Sequence, residues 1–136
     1  MAIIGRERIE KWVYTILRPY LSNIVRGGVY RSECRPQDSG QEDAEIVVST
    51  VSSGQVQRGV VKVNIYVQDI KTGSRFFPDK ARMTELEEVG DEMLALLKLN
   101  SNSSWSFSQA PDNFIVRDTR EHLLNFSFDF KRPNIK

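Results

Sequence analysis

Cysteine occurs once, at Cys34, and histidine once, at His122. A single thiol cannot close an intramolecular disulfide, so a disulfide scaffold is excluded and a reducing compartment fits. One cysteine and one histidine cannot complete a structural zinc site. No apolar run approaches the roughly 20 residues of a membrane span, and the N-terminus has no signal-peptide core. The chain is therefore expected to be made and used in a cytoplasm, away from membranes. Neither sign of charge is in surplus, with 19 Lys and Arg against 18 Asp and Glu. That balance argues against a dedicated binder of nucleic acid or anionic lipid, which carries a clear basic excess.

Catalytic signatures are equally scarce. There is no Gly-x-Ser-x-Gly and no Cys-Gly context around Cys34, so nothing local builds a nucleophilic triad with His122. His122 is expected to be a strand-end residue, and Cys34 to sit in a partly buried loop. "SSGQVQRG" lacks the Lys-Ser or Lys-Thr of a phosphate loop. The acidic loop "DSGQEDAE", with Asp38, Glu42, Asp43 and Glu45, lacks the alternation of an EF-hand. Its carboxylates are expected to be solvated on a mobile segment. Neither a cofactor nor an enzymatic activity is expected.

What is present is amphipathic patterning in 136 residues, enough for one domain with its own core. Ile9, Trp12, Val13, Ile16, Leu17 and Tyr20 recur at helical spacing, with Arg6, Glu7, Glu10, Lys11 and Arg18 on or near the opposite face. Pro19 lacks a donor and crowds the preceding turn, so this helix should end or kink near Leu17, or resume briefly through Leu21. Glu45–Val51 is rich in β-branched residues. From Val60 to Asp69, Val61, Val63, Ile65 and Val67 alternate with polar positions, and Leu124, Phe126, Phe128 and Phe130 do the same later. Period two with one apolar face predicts an antiparallel sheet, packed on one side and wet on the other. A shorter strand pair is expected at Trp105–Ser108 and Phe114–Arg117.

A second helix is expected from about Lys80 to Leu97, capped by Asp79, with Met83, Leu86, Val89, Met93, Leu94 and Leu97 forming its apolar stripe. Glu85, Glu87, Glu88, Asp91 and Glu92 crowd its outer face, as a solvated surface or a subunit contact. Phe76 and Phe77 precede it. Aromatics usually bury, so a core role is expected ahead of an exposed anchor for a partner. The fold class is α+β, with two helices covering one face of the sheet and a long loop or hairpin arm.

The succession of a helix, "GGVYRSECRPQDSGQEDAEIVVSTVSSGQVQRGVVKVNIYV", a second helix "KARMTELEEVGDEMLALL" and late strands "FIVRDTREHLLNFSFDF" resembles the tail-completion or tail-terminator proteins of long-tailed phages. The resemblance spans roughly Ile9 to Phe130. It rests on element order and on short stretches such as Val29-Tyr30 and Arg35-Pro36. It implies a virion assembly protein without catalytic residues. Such proteins form a ring, commonly of six subunits, that caps the tail tube and joins it to the head connector, with DNA only in transit. Localisation would be the virion tail or neck, and the bacterial cytoplasm during assembly. Under this reading the contact residues are Arg35, Pro36, Gln37, Asp38, Glu42 and Asp43 on the loop, with Phe76 and Phe77. Deleting Gln37–Asp43 is expected to spare the fold and abolish assembly. The alternatives are another head–tail connector, or a non-viral α+β module that binds a protein or small ligand through Phe76 and Phe77.

Overall fold

A computed structural model describes residues 5–53, 56–101, 106–109, 113–116 and 120–133. Along the chain come α1 (Arg6–Ser22), β1 (Val29–Arg31), β2 (Ala44–Ser53), β3 (Val56–Gln68), β4 (Ile70–Thr72) and β5 (Arg75–Phe77). Then follow α2 (Lys80–Leu86), α3 (Val89–Leu99), β6 (Ser106–Gln109), β7 (Asn113–Val116) and β8 (Glu121–Pro133). The fold is α+β. Among the described residues six strands form the main sheet in the order β1-β2-β3-β8-β6, with β7 also on β8, and β4 and β5 form a separate hairpin.

The alternation in β3 and β8 sets the layer arrangement. Val61, Val63 and Ile65 lie opposite Phe128, Phe126 and Leu124, and on the other side of β3 opposite Val48, Ile46 and Ala44. These side chains therefore share one face. They form one buried cluster with Ile9, Val13, Leu17 and Leu21 of α1 and Met83, Leu86, Met93 and Leu97 of α2 and α3. Phe126 and Phe128 are fully buried. Each such phenylalanine contributes about 1.5–3 kcal/mol by leaving water. Gly59 belongs to this packing too: a Cβ there would collide with the Ser49 carbonyl and the Phe130 ring.

Several expectations are corrected. Of the outcomes allowed for α1, an end near Leu17 does not occur: the helix runs on through Pro19 to Ser22, one residue past Leu21. Pro19 lies on the exposed side, where the carbonyl it leaves unbonded can meet water, while buried Leu21 keeps the last turn on the core. Glu10 is buried at 3% exposure, drawn in by Arg31, whose Nε donates to it at 2.9 Å. The second helix is bent into α2 and α3 at Glu87-Glu88, where Glu87 N–H donates to the Thr84 carbonyl in a tightened turn. Gly90, a weak helix former, follows at once. Asp79 does cap α2, accepting from the Arg82 N–H at 3.0 Å.

The sheet is mixed, because β1 pairs parallel to β2. The two short late strands do not pair with each other. Both lie antiparallel on β8, with Gln109 opposite Phe128 and Asn113 opposite Asn125. Trp105 and Arg117, included in the expected pair, lie outside the described residues. The reverse face of the sheet is not uniformly wet either. Leu123, Asn125 and Ser127 of β8 are buried. There the Asn125 amide donates to Asn64, and the Ser127 hydroxyl to Asn125 at 2.8 Å.

Candidate assembly surfaces

The segment entering β2 is extended, so successive side chains leave it on opposite sides. Ala44 faces the helices. Glu42 therefore points to the helix layer and Asp43 to the reverse face. Each meets its own arginine. The Arg82 guanidinium grips Glu42 in a two-point contact at 2.8 and 2.6 Å and also donates to the Ile24 carbonyl at 2.7 Å. The Arg26 N–H adds a further bond to Glu42 at 3.1 Å. α2 is thus tied to the turn after α1. Hydrogen bonding to Glu42 is the main cause that raises Arg82 above the ordinary arginine pKa, against the opposing effect of burial.

On the other side, Arg35 reaches back under its own loop. Its Nε donates to Asp43 at 2.8 Å, and its two terminal nitrogens straddle Glu121 at 3.2 and 3.0 Å. Further bonds run to the carbonyls of Ser39 and Gln41. The guanidinium lies 3.8 Å from the centre of the Tyr66 ring, and the Tyr66 hydroxyl donates to Glu45 at 2.8 Å. Side-chain exposure is 8% for Arg35 and 0% for Asp43. Burial alone would push the Asp43 carboxyl up. Hydrogen bonds from the Ser39 hydroxyl, the Gly28 N–H and Arg35, with the Arg35 charge, outweigh it and hold Asp43 below the usual carboxylate range. Burial likewise acts to lower Arg35, and its bonds to Glu121 and Asp43 raise it. Gly27 passes so close to this clasp that a Cβ would strike Asp43 and the Glu42 carbonyl.

The expectation of a solvated, mobile acidic loop is therefore corrected for Glu42 and Asp43, whose side chains are spent inside the fold, as is that of Arg35, expected as a contact residue. Asp38 is exposed, as are Pro36 and Gln37 beside it. The expectation that deleting Gln37–Asp43 spares the fold fails on the same ground, since that deletion removes both buried carboxylates. Glu121, Tyr66 and Arg82 escaped the sequence reading. Glu121 lies 86 positions from Arg35, and no local pattern links them.

Phe76 and Phe77 are not core residues, contrary to the preferred expectation. They sit on the β4–β5 hairpin, where Phe77 is 40% and its cross-strand partner Ile70 48% exposed. Phe76 lies on the other face, between the Arg120 guanidinium at 4.8 Å and the Lys71 ammonium at 5.9 Å from its ring centre. Cys34 is exposed rather than partly buried. His122 does stand at the beginning of β8, and its Nδ1 meets the buried carboxylate of Asp69 at 2.5 Å. The His122 ring thus packs its Nδ1 against a carboxylate, while Cys34 lies exposed on the β1–β2 loop. Among the described residues no group of three His, Cys, Asp or Glu side chains is arranged to hold a metal. No described helix is long and apolar enough to cross a membrane.

No family model matches the sequence, and no curated protein aligns with it. One solved structure aligns over 96% of this chain and 96% of its own, at 16% identity and a TM-score of 0.49. That likeness carries no argument about function.

Proposed function

We propose that this protein is a virion assembly protein of the tail-terminator type, a ring of identical subunits that caps a phage or prophage tail tube and joins it to the head connector. The observation that carries the reading is the order of elements: helix, short strand, long pinned loop, long hairpin, bent helix, then late strands returning to the hairpin's outer strand. A closed ring requires a patch that meets a different patch on the next copy. The fold leaves surfaces for that role in the exposed tip of the loop at Pro36–Asp38, the β4–β5 hairpin and the acidic side of α2 and α3. The near balance of charge suits a lumen that lets DNA pass, since a basic lumen would hold phosphates. The partners are further copies of the chain, the tube protein and the connector, and no catalytic step is involved.

The test is electron microscopy of the purified protein at high concentration and with tail tubes. Rings with a central hole, or rings on tube ends, are the expected result. A strict monomer that also ignores tube ends would sink the reading, and a small ligand co-purifying with that monomer would favour a binding module instead.

A further inference from the structure

Among the described residues three large apolar side chains are exposed: Ile70 at 48%, Phe77 at 40% and Leu99 at 79%. Two of them form one patch. In the β4–β5 register Ile70 lies opposite Phe77, and Thr72 opposite Arg75, so all four share a face of the hairpin. The Arg75 guanidinium sits 5.0 Å from the centre of the Phe77 ring. The acids that flank this hairpin are turned away from its tip: Asp69 is buried against His122, and Asp79 caps α2. The hairpin therefore presents an apolar pair with a cation beside it and no carboxylate of its own.

The third exposed apolar residue lies on a surface of the opposite sign. Glu88, Glu92, Ala95 and Leu99 fall at helical spacing along α3 and its entry, and all four are exposed. Glu85, Glu87 and Asp91 add to the acidic end. That end lies beside the C-terminal part of α1, where burial first and then the charges of Glu92 and Glu88 raise the Tyr20 pKa. The stripe runs from carboxylates to a leucine over about 10.5 Å between Glu92 and Leu99. On the hairpin, Arg75 and Phe77 are about 7 Å apart along the strand, and the arginine stem covers the remainder.

Resting on the ring reading above, we propose that these two surfaces are the two halves of the subunit joint. The hairpin face of one copy, Ile70, Phe77 and Arg75, docks on the α3 stripe of the next. Leu99 meets the apolar pair, and Glu88 and Glu92 meet Arg75. The occupant is a second copy of this chain because sign and apolar placement match at both ends of the contact. The two patches are different, so the contact is head-to-tail, as a ring needs.

The test uses the full-length chain in sedimentation velocity and electron microscopy, with two charge reversals, Arg75→Glu and Glu92→Arg. Each variant alone is expected to lose self-association about tenfold or more. An equimolar mixture of the two is expected to assemble again, because reversed hairpins meet reversed stripes and the unreversed pair also matches. Phe77→Ser reaches the same joint without touching charge and should also weaken assembly. Thermal melts of all three should stay near the wild type, since none of the residues is buried. Wild-type rings that persist unchanged in Arg75→Glu, Glu92→Arg and Phe77→Ser would overturn this joint and leave the ring reading standing. Two dissociated variants whose mixture stays dissociated would overturn the pairing of these two faces. A wild type that never self-associates would overturn the joint, and tube-end binding would then decide the terminator reading separately.

Discussion

Arg35→Met removes the guanidinium that the reverse-face network is built around while keeping much of the side chain's apolar volume. The substitution takes the Arg35 charge away from two buried carboxylates, Asp43, with no exposed side-chain surface, and Glu121, with 9%. Breaking a buried pair from one side costs about 3–5 kcal/mol, because the stranded charge keeps its desolvation penalty. A domain of this size is stable by about 5–15 kcal/mol in total, so the loss is a large share of the whole. At about 3–5 °C per kcal/mol for a chain of this length, the melting temperature should fall by about 10–20 °C.

Urea unfolding at neutral pH measures this directly. The expected result is a lower midpoint with an unchanged slope, since the surface exposed on unfolding barely differs. The double variant Arg35→Met, Asp43→Asn should be less damaged than the sum of its parts, by about 0.5–3 kcal/mol, because neutralising Asp43 removes part of the stranded charge. Arg35→Lys should recover only part of the loss, since an ammonium cannot span Glu121 at two points while also reaching Asp43 and stacking on Tyr66. A loss below about 1 kcal/mol for Arg35→Met, the range of an exposed ion pair, would refute the reasoning and return the loop to solvent.

Asp43 is held below its ordinary carboxylate pKa in the folded chain. Its contribution is fully present above the unfolded value of about 3.9 and is lost as pH falls through the folded value; acid unfolding curves of Asp43→Asn should therefore be flatter below about pH 4 than those of the wild type. Phe126→Ala, at a fully buried site on β8, should cost about 3–5 kcal/mol by denaturant titration. Gly59→Ala should destabilise by about 1–3 kcal/mol, since the new methyl must displace the Ser49 backbone or the Phe130 ring. Glu33 has a φ of 65°, a conformation costly for a side-chain-bearing residue, so Glu33→Gly should be neutral or stabilising by up to about 1 kcal/mol in urea titration.

The apolar half of this fold was legible because hydrophobic periodicity is local. Val61, Val63 and Ile65, or Phe126, Phe128 and Phe130, declare their face within seven residues, and the helix stripes do the same. Pro19 left the helix end undecided for a tertiary reason: the core contact of Leu21 outweighs the missing bond on an exposed turn. Phe76 and Phe77 misled because burial frequencies describe residue types, whereas a two-stranded hairpin standing off the main sheet has no interior to offer Phe77.

The charged half was not legible, and the loop between β1 and β2 shows the reason. A run of Asp, Ser, Gly, Gln and Glu has the composition of a solvated segment, and composition carries no record of a cation supplied from elsewhere. Glu42 is buried because Arg82 arrives from α2, 40 positions on, and Asp43 because Arg35 folds back between it and Glu121. Once these pairs are formed the loop's base becomes part of the interior, while Pro36–Asp38 stays at its surface. The consequence for assembly is physical. A contact made by a rigidly anchored tip loses less conformational freedom on binding than one made by a floppy arm. If the tip is a subunit or tube contact, Arg35 acts on assembly without touching the partner. Arg35→Lys should then weaken ring formation in conditions where the domain remains folded, whereas Gln37→Ala should do so with no change in melting temperature. Equal assembly by all three proteins would separate the loop from the ring and leave the clasp as a device of folding alone.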